Sequence, residues 1–89
     1  MKSQEQSPGD AASTLDGLQA GQVATVVGVD GGDLLAQRLG DHGLWQGAEV
    51  RLMRRAPLGD PLLFWLHGLR LALRRDEARR VRVKVTAVP

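Results

Sequence analysis

Residues 62–74 read LLFWLHGLRLALR, and this stretch decides the fold class predicted for the 89-residue chain. From Leu69 onward leucines alternate with Arg70, Ala72 and Arg74, a period of two that is typical of a half-buried strand. The preceding apolar run predicts a second strand, and Gly68 separates the two. The stretch therefore predicts a β-hairpin with its leucines inside and its arginines outside.

Further short strands are predicted on both sides of this hairpin. Residues 22–29 form a β-branched run, and residues 49–55 and 81–85 alternate between apolar and charged side chains. Residues 57–61 contain two prolines and read as a tight turn. About five short strands at this spacing predict a mainly β fold, a small and partly closed barrel.

One helix is predicted between the first two of these strands. Asp33 can cap its start, and Leu35 and Leu39 lie four residues apart on one face. Gly43 is a natural residue for the position after the helix end. Shorter turns are predicted at residues 75–79 and at residues 14–18, where Leu15 and Leu18 would form a small lid.

Composition restricts the classes of protein that remain. The chain has no Cys, and its longest apolar run is five residues, far short of the ~20 that a membrane-spanning helix needs. Residues 1–13 contain no large apolar residue after Met1, so we expect a disordered tail followed by one domain at residues 14–89. We expect a cytoplasmic protein that does not insert into membranes.

The charge distribution leaves several partners open. Six arginines fall within residues 70–82, although the formal net charge of the chain is only +2. Arg70, Arg74, Arg82 and Lys84 would point outward from two strands that could be adjacent. Such a face could be solvated, contact an acidic protein or bind a nucleic acid. We expect no nucleic-acid partner, because no aromatic residue is interleaved with these arginines, but a nucleic-acid-binding barrel stays an alternative.

Neither a metal site nor an enzyme is expected. His42 and His67 are the only imidazoles, they lie on different predicted elements, and no Cys stands at ligand spacing. Both histidines are therefore weak candidates for metal ligands, and we expect no cofactor beyond adventitious zinc. A metal-responsive binding protein is a further alternative function. Ser3, Ser7 and Ser13 all lie in the predicted tail, away from any catalytic base.

The tryptophans indicate where a protein partner could bind. Trp45 lies in a predicted turn beside Leu44, so Leu39, Leu44 and Trp45 form a candidate docking surface. In that case Leu44→Asp should leave the fold intact and weaken binding; alternatively, Leu39 and Leu44 seal the mouth of the barrel. Both faces of residues 62–66 are apolar, so either the inserted helix covers the second face or Leu63 and Trp65 form an exposed patch.

Several segments together resemble the FeoA family, ferrous iron transport protein A. The resemblance spans about residues 14–86 and rests on five ordered pieces of sequence. These pieces are Gly21, Leu35-x-x-Arg38-Leu39, Gly43-Leu44-x-x-Gly47-x-x-Val50, Ala56-Pro57-Leu58-Gly59-Asp60-Pro61 and Gly68-x-x-x-x-Leu73-Arg74-x-x-x-Ala78. His42 and Leu69 depart from the residues common in the family at these positions.

The resemblance implies an SH3-like barrel with an inserted helix and no catalysis. It also implies an accessory or adaptor role in bacterial ferrous iron transport, binding and regulating a FeoB-type membrane transporter. Whether the protein forms a homodimer is left open by the resemblance. The expected partner-binding residues are Leu39, Gly43, Leu44, Trp45, Arg70 and Arg74.

Overall fold

The structure is a computed structural model that describes residues 12–87. Its six strands are β1 (Ala12–Thr14), β2 (Val23–Val29), β3 (Glu49–Arg55), β4 (Leu62–Leu66), β5 (Leu69–Leu73) and β6 (Val81–Ala87). Its helices are α1 (Leu34–Asp41) and α2 (Arg75–Arg79), together with a 3-10 turn at Leu15–Gly17. The strands form one antiparallel sheet in the order β1-β6-β2-β3-β4-β5. The predicted mainly β fold is confirmed.

β1 is a strand that the sequence does not predict. It begins at Ala12, inside the predicted tail, and pairs with β6, with Ala12 opposite Lys84. Its three small residues contribute backbone pairing but no large apolar side chain, so no hydrophobic pattern marks it. The rest of the predicted tail, residues 1–11, lies outside the described residues.

The core is filled by alternate residues of the strands. Phe64 is the largest side chain that is fully buried, and its partners across the sheet are Leu52 on β3 and Leu71 on β5. The 3-10 turn adds Leu15, and Leu18 follows directly after the turn; both are fully buried, as the predicted lid requires. The strands contribute Ala24, Val26, Val50, Leu52, Leu62, Phe64, Leu66, Leu73, Val81 and Val83.

The β4–β5 hairpin has the predicted boundaries but not all of the predicted burial. Leu73 is buried, whereas Leu69 is 71% exposed, so the prediction that every leucine of β5 faces inward is wrong. Leu69 lies opposite Leu66 on the inner face, but at the turn end of the last strand in the sheet order. No further strand in the described part of the chain, residues 12–87, covers Leu69 there.

Helix α1 has the caps that its sequence predicts. The Asp33 carboxylate accepts a hydrogen bond from the Ala36 backbone N–H at 3.2 Å and another from the Arg80 guanidinium at 2.6 Å. The Arg80 hydrogen bond, followed by the Ala36 bond, holds the pKa of Asp33 below its ordinary value of 3.8. Asp33 is therefore ionised at neutral pH and joins the start of α1 to the end of α2. After α1, Gly43 takes the left-handed conformation at φ 106°.

The two helices pack on different parts of the sheet. Helix α1 contacts β2, while α2 packs against the 3-10 turn, where Arg79 lies 3.9 Å from Asp16. Within residues 12–87, neither helix is long and apolar enough to cross a membrane.

The burial of Leu44 gives a direct stability prediction. Leu44 is 1% exposed, and replacing a buried leucine by alanine removes apolar contacts and leaves a cavity, so Leu44→Ala should lower the free energy of unfolding by about 2–5 kcal/mol. Leu58→Ala is the matched control, because Leu58 is 94% exposed and its truncation should change stability by less than about 0.5 kcal/mol. Urea denaturation measures both. Equal effects would contradict the placement of Leu44 in the core.

Candidate interaction surface

The turn that follows α1 points one apolar side chain inward and the next outward. The Leu44 N–H donates to the Leu39 carbonyl at 3.3 Å, and the Gly47 N–H donates to the Val26 carbonyl on β2 at 2.8 Å. These bonds attach both ends of the turn to the fold. Leu44 enters the core as a result, whereas Trp45 is 57% exposed.

This geometry corrects part of the predicted docking surface. Leu39 and Leu44 are each 1% exposed, and Gly43 is also buried, so none of the three offers side-chain surface to a partner. Because Leu44 lies in the core, Leu44→Asp would place a carboxylate there and unfold the protein rather than only weaken binding. The alternative, in which Leu39 and Leu44 close the core, is the arrangement found. Trp45, Arg70 and Arg74 remain as exposed members of the predicted set.

His67 holds the exposed Trp45 in place from the neighbouring hairpin. Its Nε2 lies 3.1 Å from the Gly43 carbonyl oxygen, and an Nε2–H donates a hydrogen bond to that oxygen. The imidazole also contacts the Trp45 indole, with 4.9 Å between ring centroids and a 33° angle between planes. From the sequence His67 is only a weak metal candidate, and no local pattern predicts this contact, which joins two turns distant in sequence.

The His67 position itself depends on the turn between β4 and β5. His67 has φ 53° and Gly68 has φ 77°, so both central residues of the two-residue turn are left-handed. This is the combination that a type I′ hairpin turn requires, and histidine tolerates it better than most residues. A glycine that follows a histidine between two apolar runs was the available sequence signal.

Trp65 extends this surface across the sheet. It is 38% exposed on the outer face of β4, with Arg51 opposite it on β3 and Arg70 opposite it on β5. A groove of about 240 Å³ runs beside it and is also lined by Glu49 and His67. Trp65 is thus exposed and Leu63 is half-buried, so the alternative of an exposed patch holds for Trp65. We call Trp45, His67 and Trp65 the aromatic patch.

The arginines divide into two groups. Arg80 pairs with Asp33 at 2.6 Å and Arg82 pairs with Asp30 at 2.7 Å, while Arg79 lies 3.9 Å from both Asp16 and Asp76. Among the ion pairs found within residues 12–87, none involves Arg51, Arg70 or Arg74. Arg51, Arg70 and Arg74 therefore carry exposed charges that take part in none of these ion pairs.

The predicted basic face does not form as one surface of adjacent strands. Arg70 lies on β5 and Lys84 lies on β6, which are separated by β2, β3 and β4 in the sheet order. Arg82, also on β6, is paired with Asp30. The sequence expectation that these strands could be adjacent is wrong, because β6 pairs with β1 and β2.

The histidines are not gathered into a metal centre within the described residues. His42 is exposed at the end of α1, and His67 contacts the Gly43 carbonyl and Trp45. No group of three or more His, Cys, Asp or Glu residues at 12–87 is arranged to hold a metal ion.

Comparison with known proteins places the chain in a family. The family model of the FeoA domain matches residues 13–85. The chain belongs to the FeoA family. FeoA domains are accessory domains of ferrous iron transport, and the resemblance found in the sequence is confirmed.

Solved FeoA structures share this fold. The FeoA protein of Chlorobium tepidum is 39% identical with a TM-score of 0.76, over 83% of this chain and 70% of that one. Stenotrophomonas maltophilia FeoA, crystallised in complex with zinc and described as a prokaryotic SH3 domain protein, is 39% identical with a TM-score of 0.71. That alignment covers 80% of this chain and 88% of the other. The predicted SH3-like fold is thus confirmed.

A longer relative joins a similar domain to a transporter. The Fe(2+) transport protein A/Fe(2+) transporter FeoB fusion protein of Porphyromonas gingivalis is 28% identical over 71 residues. The match covers 80% of this chain, which spans only 8% of the length of that protein.

The contact between Gly43 and His67 predicts a specific cost for a methyl group at Gly43. A Cβ there would lie 2.6 Å from His67 Cδ2, whereas a Cβ at Gly47 would meet nothing within 4 Å. Both glycines have positive φ, so each alanine variant should lose about 1–3 kcal/mol from backbone strain. Urea denaturation should show that Gly43→Ala costs more than Gly47→Ala, because only Gly43→Ala displaces His67.

A double variant isolates this contact. In a His67→Ala background the steric conflict is gone, and the cost of Gly43→Ala should fall to that of Gly47→Ala. An unchanged cost in that background would contradict the assigned packing of His67 on the turn.

Proposed function

We propose that this chain is a non-enzymatic cytoplasmic accessory protein that binds and regulates a FeoB-type ferrous iron transporter. The observation that supports the proposal is the aromatic patch. Two of the three aromatic residues in the chain, Trp45 and Trp65, are exposed instead of being used in the core. In so small a domain, exposed tryptophans held in place by other residues are typical of a protein-binding surface.

The patch has the physical properties of a binding anchor. His67 restricts the Trp45 indole through the 4.9 Å ring contact, so less side-chain freedom is lost when a partner covers it. Trp65 lies beside the groove on the same end of the hairpin that carries His67. Apolar burial over these rings would supply affinity, and the groove would admit a protruding side chain.

The unpaired arginines would orient the partner. Arg51 and Arg70 lie on either side of Trp65 in the sheet, and Arg74 follows at the end of β5. Exposed charges at the rim of an interface affect association rate and orientation more than affinity. An acidic surface on the transporter would therefore be steered toward the aromatic patch.

The Porphyromonas fusion protein supports the choice of partner. In a fused chain, the FeoA-type domain is always close to the transporter, at an effective concentration set by the linker. A separate chain needs surface affinity to achieve the same proximity, and the aromatic patch supplies a surface with that capacity.

The proposal predicts that Trp45→Ala weakens binding to the purified cytoplasmic domain of the FeoB-type transporter. Loss of a central tryptophan anchor should reduce affinity by about tenfold or more, measured by calorimetry. The melting temperature should hardly change, because Trp45 is 57% exposed.

Leu34→Ala is the matched control for this variant. Leu34 is a large exposed side chain, 69% accessible on α1, and lies outside the aromatic patch. Its truncation should leave affinity within about twofold. Equal losses in the two variants would contradict the location of the surface, and no binding by the unmodified chain would contradict the proposed partner.

A further inference from the structure

Among residues 12–87, strand β5 has one hydrogen-bonded neighbour and one free edge. It is last in the sheet order and, within these residues, pairs only with β4, from Leu62 opposite Leu73 to Leu66 opposite Leu69. The pairing is continuous, with no bulge. Natural edge strands are usually protected by a bulge, by proline, by charged side chains or by a covering segment, and of these β5 has the charged side chain of Arg70. β5 contains no proline and no bulge.

The hairpin turn determines which backbone groups face that edge. In a two-residue type I′ hairpin, the residues flanking the turn form a hydrogen-bonded pair, and bonding alternates from there along the strand. Leu69, Leu71 and Leu73 therefore direct their N–H and C=O groups toward β4. Arg70 and Ala72 direct theirs away from β4, and no hydrogen bond found within residues 12–87 uses them.

The side chains along the free edge differ between its two faces. Leu69 is 71% exposed and Leu71 is half-buried on the inner face. Arg70 and Ala72 are exposed on the outer face, next to Trp65 and Leu63 on β4. An added strand would thus meet apolar surface on one face and a cationic group on the other.

We propose that the free edge of β5 binds an extended acidic peptide segment by antiparallel strand addition. Directly opposed residues in an antiparallel pair share a face, so the residue opposite Arg70 would carry an acidic side chain. Its neighbours would be apolar and would cover Leu69 and Leu71. The partner is therefore a segment in which acidic and apolar residues alternate.

The charges favour this occupant over a second copy of the chain. Arg70 and Arg74 make none of the ion pairs found within residues 12–87, and Arg51 is also unpaired across Trp65. Pairing two β5 edges would bring two such sets of arginines together and remove none of their charge. An acidic segment neutralises them and satisfies the Arg70 and Ala72 backbone groups at the same time.

The free edge of β5 would add a second contact to the proposed transporter binding, but the strand-addition proposal does not depend on that binding.

The test titrates the isotope-labelled chain with a capped Gly-Asp-Val-Asp-Val-Asp-Gly peptide and measures the amide chemical shifts of the chain. We expect the largest shifts at residues 69–73. In the antiparallel register the N–H groups of the Asp residues point toward β5 and those of the Val residues point away.

Two N-methylated peptides separate strand addition from simple charge attraction. Methylation of the Asp nitrogens removes the donors that face β5 and should weaken binding by about tenfold or more. Methylation of the Val nitrogens leaves those donors in place and should change affinity by less than about threefold. Equal binding of the two methylated peptides, or no binding of the unmethylated one, would overturn the proposal.

Charge variants of the chain complete the test. Arg70→Glu should weaken peptide binding by about tenfold, while Lys84→Glu, the same charge change on β6, should have an effect of less than about threefold. Equal losses of peptide affinity in the two variants would indicate long-range charge attraction and would contradict a binding site at β5. The proposal would also be overturned if the protein without peptide forms a dimer of twice 9.6 kDa through β5. Because the probe contains no transporter, failure here is distinguishable from failure of the proposed function.

Discussion

Phe64 occupies the centre of a core that has no disulfide to assist it, and its burial determines which way β4 faces. Across three strands, Leu52, Phe64 and Leu71 form an inner row. Because successive side chains of a strand point to opposite faces, the next row must point outward. That outer row is Arg51, Trp65 and Arg70. A shift of β4 by one residue would expose Phe64 and turn Trp65 inward, so the register that fills the core also places Trp65 on the outer surface.

Much of this fold could be predicted from local patterns. The alternation in β5 and β6, the Asp33 cap and the glycine after α1 each have a short-range physical cause, and each lies where predicted. The remaining features of the fold depend on contacts between residues that are distant in sequence. The small residues of β1 pair through their backbone, and Leu69 is exposed because it lies at the turn end of β5, the last strand of the described sheet.

The candidate surface could be predicted only in part for the same reason. Leu44 and Trp45 are adjacent apolar residues in one turn, and hydropathy alone does not determine which one enters the core. The hydrogen bond from the Leu44 N–H to the Leu39 carbonyl and the His67 contact from another hairpin make that choice. Arg80 and Arg82 find acidic partners 47 and 52 residues away, so no local spacing indicated which arginines are free.

The His67-Gly68 turn connects the aromatic patch with the free edge of β5. On one side His67 contacts Trp45, and on the other the chain continues directly into the free edge of β5. A partner that covers the aromatic patch could therefore extend along β5 without leaving the hairpin. The arginines that stabilise the fold, Arg80 and Arg82, pair elsewhere with the ends of β2 and α1.

The proposed contact with a FeoB-type transporter lies at the hairpin end of the molecule, in the aromatic patch and the start of β5. Amide chemical shifts of the labelled chain, recorded with the transporter's cytoplasmic domain at moderate salt and with a chelator present, test this location. We expect the perturbed amides to cluster at residues 43–47 and 65–70. Perturbations centred on β6 or on the exposed face of α1, with the hairpin end unaffected, would contradict it.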